Sequence, residues 1–173
     1  MKALFKAGFV LLACALTSVR IAAAQAPNAG CSLENSNFTA QTLLCPGGVT
    51  IVVENGARYR LLDRARKGRV DGVELNSKAV LIEVPARSGG NRFQVITPQA
   101  IAAVRGTKWA VDVAEIKTSV LVVNGRVAVA RRTGSHSVTL GAGEGVDVEP
   151  GGPLTVKRWS PARVSALMAR LRQ

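Results

Sequence analysis

From residue 50 onward the chain alternates short β-prone runs with turn residues. Thr50-Ile51-Val52-Val53-Glu54 is followed by Asn55-Gly56 and then by Tyr59-Arg60-Leu61-Leu62. An Asn-Gly pair between apolar runs predicts a hairpin, because both residues tolerate positive φ. Residues 79–84 form another apolar run, closed by Pro85. The segment Ser88-Gly89-Gly90-Asn91 then turns into Phe93-Gln94-Val95-Ile96. Residues 108–113 alternate, with Trp109, Val111 and Val113 on one side and Ala110 and Asp112 on the other. The apolar run 119–123 leads through Asn124-Gly125 into residues 126–131, a second predicted hairpin with Val127 and Val129 on one face. Val138 with Leu140, and Val146-Asp147-Val148, give two further short strands, punctuated by Gly141, Gly143 and Gly145. Many short strands at regular spacing predict an all-β fold: a short-stranded β-roll, solenoid or sandwich.

Helical periodicity enters only at the C-terminus. Ser160 suits an N-cap and Pro161 the first helical position. Val164, Leu167, Met168 and Leu171 then recur at helical spacing. The expected element is one amphipathic helix within 157–173, packed on the sheet and covering an edge.

The N-terminus has a different pattern. Lys2 and Lys6 precede an apolar run over 7–19, and Ala24-Gln25-Ala26 offers a small-x-small cleavage site. These are the parts of a secretory signal peptide over residues 1–26. The run is shorter than the roughly 20 apolar residues that a membrane span needs. Leu11-Leu12-Ala13-Cys14 loosely matches a lipoprotein site, an alternative that would leave the chain lipid-anchored. The expectation is a periplasmic protein, or alternatively a secreted one. Removing 1–26 takes away Lys2, Lys6 and Arg20 and no acid, lowering the net charge from +12 to about +9. The roughly 150 residues left suit one domain, read as a disulfide-bounded segment over 27–49, a β domain over 50–156 and the helix. In an oxidising compartment the two remaining cysteines, Cys31 and Cys45, are expected to form a disulfide.

Candidate chemistry is sparse. His136 lies in Thr133-Gly134-Ser135-His136-Ser137, an expected exposed hairpin tip, and is the sole histidine. One histidine and a disulfide cannot assemble a zinc site or a nucleophile–base pair. No enzyme, cofactor or metal is expected. Residues 63–74 align with a twelve-residue calcium loop at Asp63, Gly68, Asp71 and Glu74, but Ala65 and Lys67 occupy positions that need oxygen donors. The segment therefore reads as a basic turn. Arg64, Arg66, Lys67 and Arg69 within it, and Lys157, Arg158, Arg163, Arg170 and Arg172 near the C-terminus, are candidates for holding an acidic partner. Export argues against nucleic acid. The partner expected is an envelope protein or an anionic envelope polymer.

Residues 93–149 contain Thr97-Pro98, then Val104-Arg105-Gly106-Thr107 with Trp109-Ala110-Val111, then Asn124-Gly125-Arg126-Val127, and finally Leu140-Gly141-Ala142-Gly143-Glu144. With these motifs the chain resembles the FecR-like domain family. Glycine suits a corner at Gly106 and a tight turn at Gly125. Arg105 is placed to bond carbonyls or an acid inside the turn, and Thr107 to bond the backbone locally. We read these residues as a fold-defining corner. The resemblance implies an all-β periplasmic module. Its best-known setting is a membrane regulator that holds a sigma factor and receives a signal from an outer-membrane iron-siderophore receptor. Only about six residues precede the apolar run, so no cytoplasmic anti-sigma domain is expected here. A stand-alone binding domain is the leading expectation. A soluble accessory of iron-linked or TonB-linked cell-surface signalling and a structural envelope scaffold part are the alternatives. If the signal-peptide reading is right, intact-mass analysis of envelope-fraction protein will find a chain starting at or near Pro27; an intact Met1 there contradicts it.

Overall fold

The computed structural model describes residues 30–86, 92–134 and 136–171. The signal-peptide reading, Cys14, the turn over 88–91 and Arg172 lie outside them. Thirteen strands form one sheet. They are β1 (Ser32–Ser36), β2 (Ala40–Cys45), β3 (Val49–Glu54), β4 (Arg58–Leu62), β5 (Gly72–Val84), β6 (Phe93–Ile96), β7 (Ala100–Val104), β8 (Thr107–Val113), β9 (Thr118–Asn124), β10 (Val127–Arg131), β11 (Ser137–Leu140), β12 (Glu144–Val148) and β13 (Lys157–Arg158). Among the described residues the one helix is α1 (Pro161–Arg170). The all-β expectation with a C-terminal helix holds.

The sheet curls over on itself as a half-barrel. A wide layer runs β1-β2-β3-β5-β8-β9-β12-β13 and a narrow layer runs β4-β5-β6-β7-β10-β11. Strand β5 belongs to both. Its first part pairs with β4 and β6, and from Lys78 onward it pairs with β3 and β8. Lys78 takes the strand round the bend at φ 63°, a conformation that costs a non-glycine residue about 1 kcal/mol.

Both predicted Asn-Gly hairpins are corrected by this topology. β3 pairs with β2 and β5, whereas β4 pairs with β5 in the other layer. β9 pairs with β8 and β12, whereas β10 pairs with β7 and β11. Each Asn-Gly therefore carries the chain from the wide layer to the narrow one. The reason is in the dihedrals. A paired two-residue hairpin of the Asn-Gly type needs positive φ at both central residues. Here only Gly56 (76°) and Gly125 (92°) have it. Such turns splay the flanking strands apart.

The inner faces enclose the main core. Ile51, Val53, Val80, Ile82 and Val111 come from the wide layer, and Val73, Leu75, Val95, Val127 and Val129 from the narrow one. Trp109 is fully buried at its centre and meets Phe93 edge-on, ring centres 5.9 Å apart. The disulfide joins Cys31 to Cys45, two buried residues, and so closes the β1–β2 ladder at one end. The segment over 27–49 thus contributes two strands to the wide layer.

Helix α1 lies on the outer face of the wide layer, not over an edge as expected. Beneath it, small side chains (Ala40, Ala79, Ala110) alternate in the cluster with Val52, Leu81 and Leu121 and let Leu167 and Leu171 approach the backbone. Ser160 caps the helix by accepting the Arg163 N–H. Two arginines then fasten it. Arg170 donates to both oxygens of Asp112 (2.7 and 2.9 Å) and to Glu54 (2.6 Å), and Glu54 also accepts the Ala79 N–H. Arg163 donates to Asp147 (2.6 Å) and stacks 3.5 Å over the Trp159 ring. Gly145 lets Trp159 in: a Cβ there would stand 2.3 Å from the indole Nε1.

These two C-terminal arginines are therefore used inside the molecule. Hydrogen bonds to Asp112 and Glu54 hold the Arg170 guanidinium well above its ordinary value. Burial pushes Asp147 up, but bonds from Arg163 and Ser119, with the charges of Arg163 and Lys117, outweigh it and leave the carboxyl below its ordinary value. A depressed carboxyl stabilises the fold above its unfolded pKa of about 3.9, and that contribution is lost as pH falls through the folded value. Replacing Arg170 by Met should cost about 2 kcal/mol in urea unfolding, between the exposed-pair and buried-pair limits. The penalty should shrink at high salt, because both ion pairs of Arg170 are partly exposed. A variant as stable as the parent at pH 7 would show that α1 is held by apolar contact alone.

Candidate functional site: the motif corners and the basic loop

Two stacked corners stand at one end of the half-barrel. At the first, Arg105-Gly106 links β7 of the narrow layer to β8 of the wide one. Gly106 has φ 65°, and a Cβ on it would sit 2.7 Å from the Ala86 Cα. At the second, Gly125 links β9 to β10, and a Cβ there would meet the Thr107 Oγ1 at 2.9 Å and the Gly106 carbonyl at 3.0 Å. Thr107 is buried, and its hydroxyl donates to the Arg126 carbonyl at 3.1 Å, tying the two corners together. The expected local bond, to the Arg105 carbonyl, is longer at 3.5 Å, and one hydroxyl proton serves the shorter. Arg105 does not fill the role expected of it. Its side chain is exposed and makes no hydrogen bond or ion pair among the described residues.

A third corner beside these holds Gly143 and Glu144. The Gly141 N–H donates to the Glu144 carboxylate at 2.7 Å, and the Gly143 N–H to the Val122 carbonyl at 2.8 Å. Thr97 and Pro98 lie at the opposite end of the strands. The Thr97 hydroxyl accepts the Ala100 N–H at 2.9 Å and meets the Thr118 hydroxyl at 2.8 Å. Thr118 also donates to Gln99 at 2.7 Å. That bond joins β9 of the wide layer to the turn before β7 of the narrow one. Motif residues thus form corners at both ends of the sheet, and the polar groups of Thr97, Thr107 and Glu144 are spent on holding those corners.

The basic loop follows β4 at the end that carries the stacked corners. Asp63 organises it. The Lys67 N–H (3.0 Å) and Gly68 N–H (2.7 Å) both donate to its carboxylate. These bonds, the Lys67 one foremost, hold the carboxyl below its ordinary value. The calcium-loop frame is thus filled from within: backbone amides occupy the Asp63 oxygens that a cation would need. No group of three or more metal-ligating side chains occurs among the described residues.

The four candidate cations are not equivalent. Arg64 donates through Nε to Asp71 Oδ1 at 3.0 Å, through Nη2 to the Asp71 carbonyl at 2.9 Å and through Nη1 to Gln94. It pins the loop to its own far end at Asp71 and to β6, which engages its guanidinium within the molecule. Arg66, at φ 51°, and Lys67 are exposed at the tip. Lys67 and Arg69 line a cavity of about 120 Å³, with Arg92 beside them and Val49, Val70, Val84 and Phe93 among its walls. On the neighbouring β4–β5 ladder, Arg60 pairs with Glu74 at 2.5 Å. Sequence reasoning could not separate these roles, because the acids that engage Arg60 and Arg64 lie on a neighbouring strand and across the loop.

Residues 37–128 match the family described as FecR protein. No curated protein matches. Two crystal structures of candidate anti-sigma factors from Parabacteroides distasonis ATCC 8503 are similar in fold. One is 21% identical, with a TM-score of 0.62 over 80% of this chain and 64% of that one. The other is 20% identical, with a TM-score of 0.60 over 75% of this chain and 60% of that one. The chain therefore spans less than two thirds of either. At such identities the likeness shows the fold.

Replacing Arg64 by Ser should lower stability by about 1 kcal/mol, since Arg64 is itself 43% exposed while its partner Asp71 is mostly covered. Replacing Arg66 should change it by less than about 0.5 kcal/mol. Thermal unfolding of the two variants separates the pinned cation from the free one; equal shifts would contradict the assignment.

Proposed function

The chain belongs to the FecR family, and on that premise we propose that it acts outside the cytoplasm as a non-catalytic module of cell-surface signalling, engaging a protein partner in the envelope. The observation that carries this reading is the family match over residues 37–128. The named function of the structural neighbours, anti-sigma factor, supports a signalling setting. The signal-like N-terminus and the Cys31–Cys45 bridge support a periplasmic location. No helix of the described residues is long and apolar enough to cross a membrane.

The chemistry that the basic loop offers for recognition is electrostatic. His136 is exposed on the hairpin between β10 and β11, and no acid or nucleophile bonds to it among the described residues. Arg66 and Lys67, presented at the loop tip beside the cavity, suit an acidic surface on the partner. An anionic envelope polymer is the second reading, favoured by the overall charge of +12. In that case contact would be spread over the basic surface instead of focused on one loop.

A photo-crosslinking residue at position 66, with Thr139 on β11 as the control position, tests this in cells. The protein-partner reading predicts a discrete protein adduct from position 66 and not from 139. It also predicts altered transcription of an envelope-responsive gene set when the chain is deleted. Diffuse adducts from both positions, with transcription unchanged, would overturn it in favour of polymer binding.

A further inference from the structure

At the end of the half-barrel away from the stacked corners, two large apolar side chains stand in solvent. Phe38, at the tip of the β1–β2 hairpin, is 98% exposed, and Ile116, in the turn between β8 and β9, is 67% exposed. The Phe38 tip is rigid. The Asn37 carboxamide oxygen accepts the Thr39 and Ala40 N–H groups, both at 2.9 Å. Asn55 braces the turn from β3, donating its side chain to the Asn37 carbonyl at 2.7 Å and its N–H to the Thr39 carbonyl at 2.8 Å. A loose loop could fold its phenylalanine back onto the protein. This one is fixed outward at the full cost of hydrating an aromatic ring.

The surroundings of the two tips are basic. Lys78 bonds the Asn55 carbonyl beside the Phe38 turn and pairs in register with Val113, which begins the approach to Ile116. Arg131 donates to the Gly151 and Gly152 carbonyls, and Arg132 to the Thr97 carbonyl. Carbonyl oxygens orient these three cations without neutralising them. Arg58 adjoins Lys78 through its pairing with Ser77, and Lys117 follows Ile116. Against them stand the exposed acids Glu115 and Glu149 and the half-buried Asp147, which pairs with Arg163 and, at 4.0 Å, with Lys117, while Glu54 and Asp112 are already taken by Arg170.

We propose that this end of the molecule docks on an anionic lipid bilayer, with Phe38 and Ile116 entering the interfacial layer and the exposed Lys78 and Arg132 facing the phosphates. Two separated apolar points on rigid turns, ringed by unneutralised cations, match a flat surface that is apolar within and anionic outside. The site is remote from the basic loop, so this inference and the proposed function stand or fall separately.

Vesicle co-sedimentation of the full chain tests it. Vesicles in which a quarter of the lipid is phosphatidylglycerol should bind the protein, and pure phosphatidylcholine should not. Binding should weaken steeply from low to physiological salt as the screening length falls from ~30 to ~8 Å. The double replacement Phe38→Ser with Ile116→Ser should reduce binding by about tenfold or more. Arg132→Gln should reduce it less and flatten the salt dependence. Both positions being exposed, the thermal midpoint should be unchanged and serves as the folding control. Absence of binding to anionic vesicles, or equal binding by a folded Phe38→Ser/Ile116→Ser protein, overturns the proposal. If that protein binds vesicles normally but loses the cross-linked partner, the tips are a protein-docking surface instead.

Discussion

Crossing between two layers is the constraint on which the rest of this structure depends. A curled sheet puts consecutive strands in different layers, so the chain must turn sharply where backbones already crowd together. At Gly106 the neighbouring Ala86 backbone leaves no room for a Cβ, and at Gly125 the first corner itself fills the space. These corners fix the register of β8 and β9 and so place Trp109, Val111, Val120 and Val122 in the core. The bend at Lys78 performs the same crossing within a single strand, and the Thr97–Thr118 bond ties the two layers at the far end.

The wide layer is apolar on both faces, and that decides the fate of the C-terminus. Val52, Leu81 and Leu121 face away from the main core and need cover. Helix α1 supplies it with a narrow stripe of leucines. Arg163 and Arg170 then align the helix across three acids and a hydroxyl borne by four different strands: Glu54, Asp112, Asp147 and Ser119. Basic residues that look in sequence like a docking surface are thus partly the fastening of a lid. The same holds for Arg64 in the loop after β4. What remains available to a partner is smaller and more specific: the Arg66–Lys67 tip at one end, and the Phe38 and Ile116 tips at the other.

Much of the fold was legible in the sequence because alternation and turn residues coincide. The runs at β3, β8 and β10, the exposed His136 tip and the capped helix were all visible. Three things were not. β1 is exposed along its whole length, so it carries no burial pattern to read. β7 is Ala-Ile-Ala-Ala-Val, whose alanines are weak strand formers until packed. The Asn-Gly turns are indistinguishable in sequence from hairpin turns, because the choice between positive φ at one residue or two is made by the strands that recruit β4 and β10 elsewhere. The site residues were legible as chemistry but not as geometry: Asp71, which disarms Arg64, sits seven positions away, and Phe38 gave no periodic signal.

Glycine replacement tests the central claim, that layer-crossing corners and not hairpins organise this sheet. Gly106→Ala should lose more than about 2 kcal/mol in urea unfolding, from strain at positive φ together with collision against Ala86. Gly151→Ala, where an added Cβ meets nothing within 4 Å, should change stability by less than about 0.5 kcal/mol. If Gly106→Ala were as stable as Gly151→Ala, the stacked-corner architecture would be contradicted.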